Sequence, residues 1–116
     1  MYVYIIGSYK EQLYKVGMSI DPENRVNQIQ TCCPFKIYLK ASYRPRQGLT
    51  PKALEALVHN HISCYNTTNE WFRLSDNSFI ETNLFLRQHS HESTLDSNFF
   101  NIVSNIVNET NTSLSK

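Results

Sequence analysis

At 116 residues the chain is the size of one domain, and it can bury one modest core but not two. Its 41% apolar content excludes compositional disorder, and no apolar run nears the roughly 18 residues that span a bilayer, which excludes a helical membrane protein. The net charge of +1 hides an asymmetry: residues 1–52 carry eight Lys/Arg against three acids, whereas residues 53–116 carry three against seven. The basic half can meet phosphates although the whole is near neutral.

Met1–Ile6 lacks the basic region and long apolar stretch of a signal peptide, so a cytoplasmic protein is expected, one whose Asn66, Asn108 and Asn111 triplets carry no sugar. Cys32, Cys33 and Cys64 are an odd set with an adjacent pair, a poor disulfide framework and poor zinc spacing. Free thiols are expected; a zinc grouping of Cys32 and Cys33 with His59 and His61 is the alternative.

Tyr2–Ile6 is β-branched and aromatic and reads as a strand, and Leu13–Gly17 as its hairpin partner across the polar turn Gly7–Gln12. Asp21-Pro22 opens a helix, with Pro22, Val26 and Ile29 on one face and Arg25 beside it. Cys32-Cys33-Pro34 stops that helix. Phe35–Tyr43 alternates apolar and polar residues and predicts a third strand, followed by a loop at Arg44–Gly48.

Thr50-Pro51 opens a second helix whose apolar stripe is Leu54, Leu57, Val58, Ile62 and Tyr65. Glu55 and His59 lie one turn apart at its edge. Glu70–Leu74 reads as a short strand, with Trp71 and Phe72 as core. Phe79–Leu86 reads as a third helix packed through Ile80, Leu84 and Phe85. From His89 the chain turns rich in Ser, Asn and Thr. The expected organisation is therefore a domain at 1–90 and a tail at 91–116, with at most one short helix on Phe99, Ile102, Val103, Ile106 and Val107. The other histidines, His61, His89 and His91, are expected to be solvated.

Tyr4, Lys15, Arg25 and Glu55 stand where core-building does not need polar groups. Phosphodiester hydrolysis needs a proton acceptor for water, a cation near the phosphorane and usually a metal on a carboxylate. Tyr4 could take the proton, and Arg25 could grip phosphate through its fork. Glu55 could hold a hard ion such as magnesium, and Lys15 adds a second cation.

The ordered series Tyr2-Val3-Tyr4, Lys15-Val16-Gly17, Ser19, Asp21-Pro22, Arg25, Glu55-Ala56-Leu57-Val58-His59 and Glu70-Trp71-Phe72 resembles the GIY-YIG nuclease superfamily. The likeness is to its compact phage and microbial branch and covers roughly residues 1–87. The resemblance implies an α+β fold, a small antiparallel sheet flanked by helices. It also implies a divalent-metal-dependent endonuclease acting on DNA with Mg²⁺, or Mn²⁺, as cofactor. By resemblance the catalytic residues are Tyr4, Lys15, Arg25 and His59, and the metal ligand is Glu55. Lys15, Arg25, Lys36, Lys40, Arg44, Arg46 and Asn66 are the expected nucleic-acid contacts. Tyr4, Lys15, Arg25, Glu55 and His59 are expected to face one cleft.

The chain departs from the pattern at several places. Tyr2 replaces the first glycine, Lys15 the tyrosine of the second motif, and Ile29 a polar residue after Arg25. Neighbouring strand residues point to opposite faces, so Tyr14 cannot stand in for Lys15. Asn66, then Asn69, are candidates for a late asparagine, and His59 can supply a missing acid–base function near neutral pH. A non-catalytic nucleic-acid-binding or interaction module on the same fold is the competing reading. No appended helix-turn-helix or zinc finger is expected, so specificity would come from DNA shape, a homodimer or a larger complex.

Overall fold

The computed structural model describes residues 1–95. The short helix expected on Phe99–Val107 lies outside them. Over the described residues the fold is α+β: six strands in one antiparallel sheet, with three α-helices.

β1 (Tyr2–Ser8) and β2 (Leu13–Ser19) form the expected hairpin, running from Tyr2 opposite Ser19 to Ser8 opposite Leu13. Each helix begins at a side-chain cap that satisfies an orphan backbone donor. Asp21 accepts from the Asn24 amide at the start of α1 (Pro22–Gln30), and Thr50 from the Ala53 amide before α2 (Pro51–His61). Ser75 does the same with Ser78 before α3 (Asp76–Gln88), which is why α3 starts ahead of its first apolar residue, Phe79.

β3 spans Tyr38–Pro45, starting later than expected. The Gln30 side chain takes both the Phe35 carbonyl and the Ile37 amide, tying that stretch to α1 instead of the sheet. Arg44 therefore lies on a strand and not in a loop. A 3₁₀ turn at Ser63–Tyr65 leads into β4 (Asn66–Thr68), which turns through Asn69, at φ 52°, into β5 (Trp71–Arg73). β6 (Ser90–Leu95) pairs with β3, so the sheet runs past the boundary expected at residue 90. The strand order is β4-β5-β2-β1-β3-β6.

Strand alternation divides the core between two faces. Val3, Ile5, Tyr14, Val16 and Tyr43 pack under α2 and α3 through Leu54, Val58, Phe79 and Leu86. Each such side chain stabilises the fold by roughly 1.5–3 kcal/mol. Tyr4, Ile6 and Ile37 form a smaller cluster on the other face, beneath Val26 and Ile29 of α1. Leu57, Tyr65 and Leu84, expected in the helical stripes, are instead exposed. No described helix is long and apolar enough to cross a membrane.

Candidate active site at the open edge of the sheet

β5 covers only Leu13, Tyr14 and Lys15 of β2. Glu70, just before β5, still accepts from the Val16 amide through its carbonyl, 3.1 Å away. The Val16 carbonyl points the same way and has no strand partner. It is met instead by His59 Nε2 of α2 at 2.7 Å. A carbonyl can only accept, so Nε2 carries a proton, and in the neutral ring Nδ1 is then the nitrogen with the lone pair. Phe72, with its ring centroid 5.2 Å away, holds the imidazole from the side.

Lys15 and Glu70 meet beside this point, with Nζ 2.6 Å from Oε2. The lysine side chain is 13% exposed and the carboxylate 41%, so a largely desolvated ammonium has a partner. Glu55, one turn before His59 on α2, makes no hydrogen bond or ion pair among the described residues. Its carboxyl is raised above the ordinary range, first by desolvation and then by Glu70, while His59, Lys15 and Lys52 pull the other way. The charged form is thus disfavoured on a half-buried carboxyl whose oxygens have no hydrogen-bond partner among the described residues.

On the α1 face Lys15 and Arg25 line a cleft of about 470 Å³, bounded also by Ile29, Phe35 and Trp71. Arg25 Nη1 donates to Gln28 Oε1 at 3.1 Å, which orients the guanidinium along the helix. Tyr4 lies on the same face but is only 1% exposed. Its ring covers Gly17: a Cβ there would lie 2.5 Å from the Tyr4 hydroxyl oxygen. Glycine in the second motif is thus required by close approach of the Tyr4 ring.

The structure therefore brings Lys15 and Arg25 into one cleft, with Tyr4 in the buried cluster against which the lining residues Ile29, Phe35 and Trp71 pack. Glu55 and His59 come from the helix on the other face and reach this region at the uncovered edge of β2. The expectation of a single cleft for all five is corrected accordingly: α1 and α2 pack on opposite faces, and Lys15 with Glu70 links the two sides. Tyr14 points into the core and stacks on Phe79, with ring centroids 4.6 Å apart, as strand alternation requires.

Among the expected nucleic-acid contacts, Lys36, Arg44 and Arg46 are exposed, with Arg44 4.0 Å from Glu92. Lys40 is corrected. It is 2% exposed, with Nζ 3.6 Å from the centre of the Tyr9 ring. The pairing jumps from Leu39 to Ala41 opposite Ile6 and Ile5, so Lys40 is the extra residue of a bulge, which turns it off the solvent face. Asn66 spends its amide on the Asn69 and Trp71 carbonyls, closing the β4–β5 hairpin. His61 stacks on Phe85 at 4.2 Å, and His89 is half-buried against the same ring. Glu70 is not among the expected site residues, although Glu70-Trp71-Phe72 belongs to the series that carries the resemblance.

The model of the T5orf172 domain family matches residues 1–88. The chain belongs to this family. The T5orf172 domain is phage-associated and is reported in an endonuclease context. Searches of curated proteins and of solved structures return no match to the chain.

In this T5orf172 domain Glu55 is the residue that could hold a hard divalent ion. Glu55 offers free carboxylate oxygens beside a second acid, and such ions accept one or two carboxylates while keeping several waters. Among the described residues no group of three or more His, Cys, Asp and Glu side chains is gathered for a metal, so the zinc grouping of Cys32, Cys33, His59 and His61 does not form. The cysteines are free thiols.

Proposed function

We propose that this T5orf172 domain is a divalent-metal-dependent endonuclease of the GIY-YIG kind, hydrolysing phosphodiester bonds in DNA. The observation that carries the reading is the junction at the open edge of β2. There a cleft with two cations, Lys15 and Arg25, adjoins through the Lys15–Glu70 pair the edge where the Glu55 carboxyl feels the charges of Glu70 and His59.

In this reading Arg25 binds the phosphate through its guanidinium fork and bears on the charge that builds during attack. Lys15, released in part from Glu70, adds to that field. The attacking water forms the new P–O bond as the bond to the 3′ oxygen breaks. His59 takes the water's proton at Nδ1, because Nε2 is engaged by the Val16 carbonyl. Tyr4, buried over Gly17, positions the strand edge beside the cleft. Mg²⁺ or Mn²⁺ on Glu55 would supply Lewis-acid stabilisation of the phosphate and the leaving oxygen. Specificity would come from DNA shape, a homodimer or a larger complex.

The Lys15–Glu70 pair also favours a second reading, a non-catalytic DNA-binding module, because it neutralises one of the two cleft cations. A cleavage assay on mixed DNA substrates with Mg²⁺ or Mn²⁺ separates the two. The parent is expected to cut, Glu55→Ala to lose at least about 10²–10³ in rate with binding intact or tighter, and Arg25→Ala to lose both. Glu55→Ala cutting as fast as the parent would overturn the site. A parent that never cuts leaves the binding module.

A further inference from the structure

The cleft is larger and less polar than a phosphate needs. At about 470 Å³ it falls within the roughly 300–1,000 Å³ of sites that enclose an organic ligand. Beside its cations, Lys15 and Arg25, the wall includes Trp71, Phe35 and Ile29, with Thr67 and Thr68 at the β4–β5 hairpin and Cys32 and Cys33 after α1. Trp71 is half-buried, and Phe35 meets it edge-on at 6.3 Å with planes 77° apart, which fixes the orientation of the indole. Trp71 also pairs with Lys15 across β5 and β2, so the aromatic wall and the cation share one rigid register.

A cation for the backbone beside an aromatic wall for a π-face is the composition that binds unpaired nucleotides. A base inside a duplex is stacked on both sides and cannot present its face to such a wall. We infer that the cleft is a subsite for an unpaired nucleobase seated against Trp71, next to the phosphate held by Lys15 and Arg25. The domain's substrates are then single-stranded or locally unpaired DNA, not intact duplex. Thr68, Thr67, whose hydroxyl donates to the Trp71 carbonyl, and Gln28, whose amide oxygen accepts from Arg25, are the neutral polar residues of the lining. The inference takes from the nuclease reading only the position of the phosphate.

Trp71 is the single tryptophan of the chain, so its fluorescence reports this site without any substitution. The parent is titrated with oligo-dT and with a blunt duplex of equal length, without divalent ion. Saturable quenching by oligo-dT at concentrations where duplex gives little is expected. Anisotropy of labelled oligo-dT then compares Trp71→Phe, which keeps a ring, with Trp71→Leu. The leucine variant should bind oligo-dT on the order of tenfold more weakly, with the phenylalanine variant in between. Should Trp71→Leu misfold, the fluorescence arm on the parent still decides. Equal quenching by duplex and oligo-dT, or a leucine variant that binds oligo-dT as tightly as the parent, would overturn the subsite. Duplex cleavage without oligo-dT quenching would sink this inference and leave the nuclease reading standing. Selective quenching by a protein that never cuts would do the reverse.

Discussion

The two faces of the sheet are built from alternate residues of the same strands, yet they have opposite characters. Beneath α2 and α3, Val3, Ile5, Tyr14 and Val16 are sealed with helix residues into a closed apolar core. Beneath α1, only Tyr4, Ile6 and Ile37 are fully enclosed, and the rest of that face opens into the cleft lined by Lys15 and Arg25. One face supplies most of the burial that holds the domain together, so the other can leave charged groups and space at its edge. If this division is sound, substitutions on the open face and at the uncovered edge of β2 should cost chemistry, and those inside the closed face should cost stability.

The largest expected effect is on the chemistry side. His59→Ala removes the proposed proton acceptor and should slow cleavage by about 10²–10⁴. It also leaves the Val16 carbonyl without its side-chain donor. Tyr4→Phe keeps the ring over Gly17 and should retain fold and DNA binding, with a smaller rate loss than His59→Ala. Single-turnover rates at saturating Mg²⁺ rank the two; a greater loss in Tyr4→Phe would move the proton acceptor to the tyrosine.

On the closed face, Phe79→Ala should cost about 3–5 kcal/mol of stability, because it opens a cavity against Tyr14 and Tyr9. Ile29→Ala, which packs on the smaller cluster and borders the cleft, should cost clearly less. Urea unfolding of both variants measures the contrast. Equal losses would mean that the α1 face carries as much of the fold as the other.

The core and the hairpin were legible in the sequence because they rest on local chemistry. Strand alternation placed Tyr14 opposite to Lys15, and the Asp21 and Thr50 caps marked two helix starts. β4 and β6 were not legible. Asn66–Thr68 and Ser90–Leu95 are polar edge segments whose strand character comes from their neighbours. Lys40 was misread because alternation assumes an unbroken ladder, and a bulge falls at that residue. The Lys15–Glu70 pair and the His59 contact depend on where β5 stops, and no local pattern encodes that point.

A smaller effect tests the charge at the site edge. The Glu55 carboxyl is raised, so the folded state holds its proton more tightly than the unfolded chain does. Its favourable contribution is complete below the unfolded value and is lost as pH rises through the folded one. Glu55→Gln should therefore raise Tm slightly at neutral pH and not at all in acid below the unfolded value. Mg²⁺ should raise the Tm of the parent at neutral pH and leave that of the variant unchanged. A variant less stable than the parent at neutral pH would show that Glu55 is held by favourable contacts.

The smallest expected change is on the closed face, at a polar atom. The Tyr14 hydroxyl is buried and has no hydrogen-bond partner among the described residues. Burial, with Tyr9 and Asp76 adding to it, holds its pKa well above the usual phenol range. An unmatched buried hydroxyl carries a desolvation cost of about 1–3 kcal/mol, so Tyr14→Phe should leave Tm unchanged or raise it while the ring still stacks on Phe79. Tyr43→Phe is the control. The Tyr43 hydroxyl donates to Asn83 Oδ1, so its loss strands a buried acceptor and should lower Tm. If Tyr14→Phe lowers Tm as much as Tyr43→Phe does, an ordered water is satisfying the Tyr14 hydroxyl. The closed face would then carry a polar requirement of its own, and the division between a sealed face and a chemical one would weaken at that point.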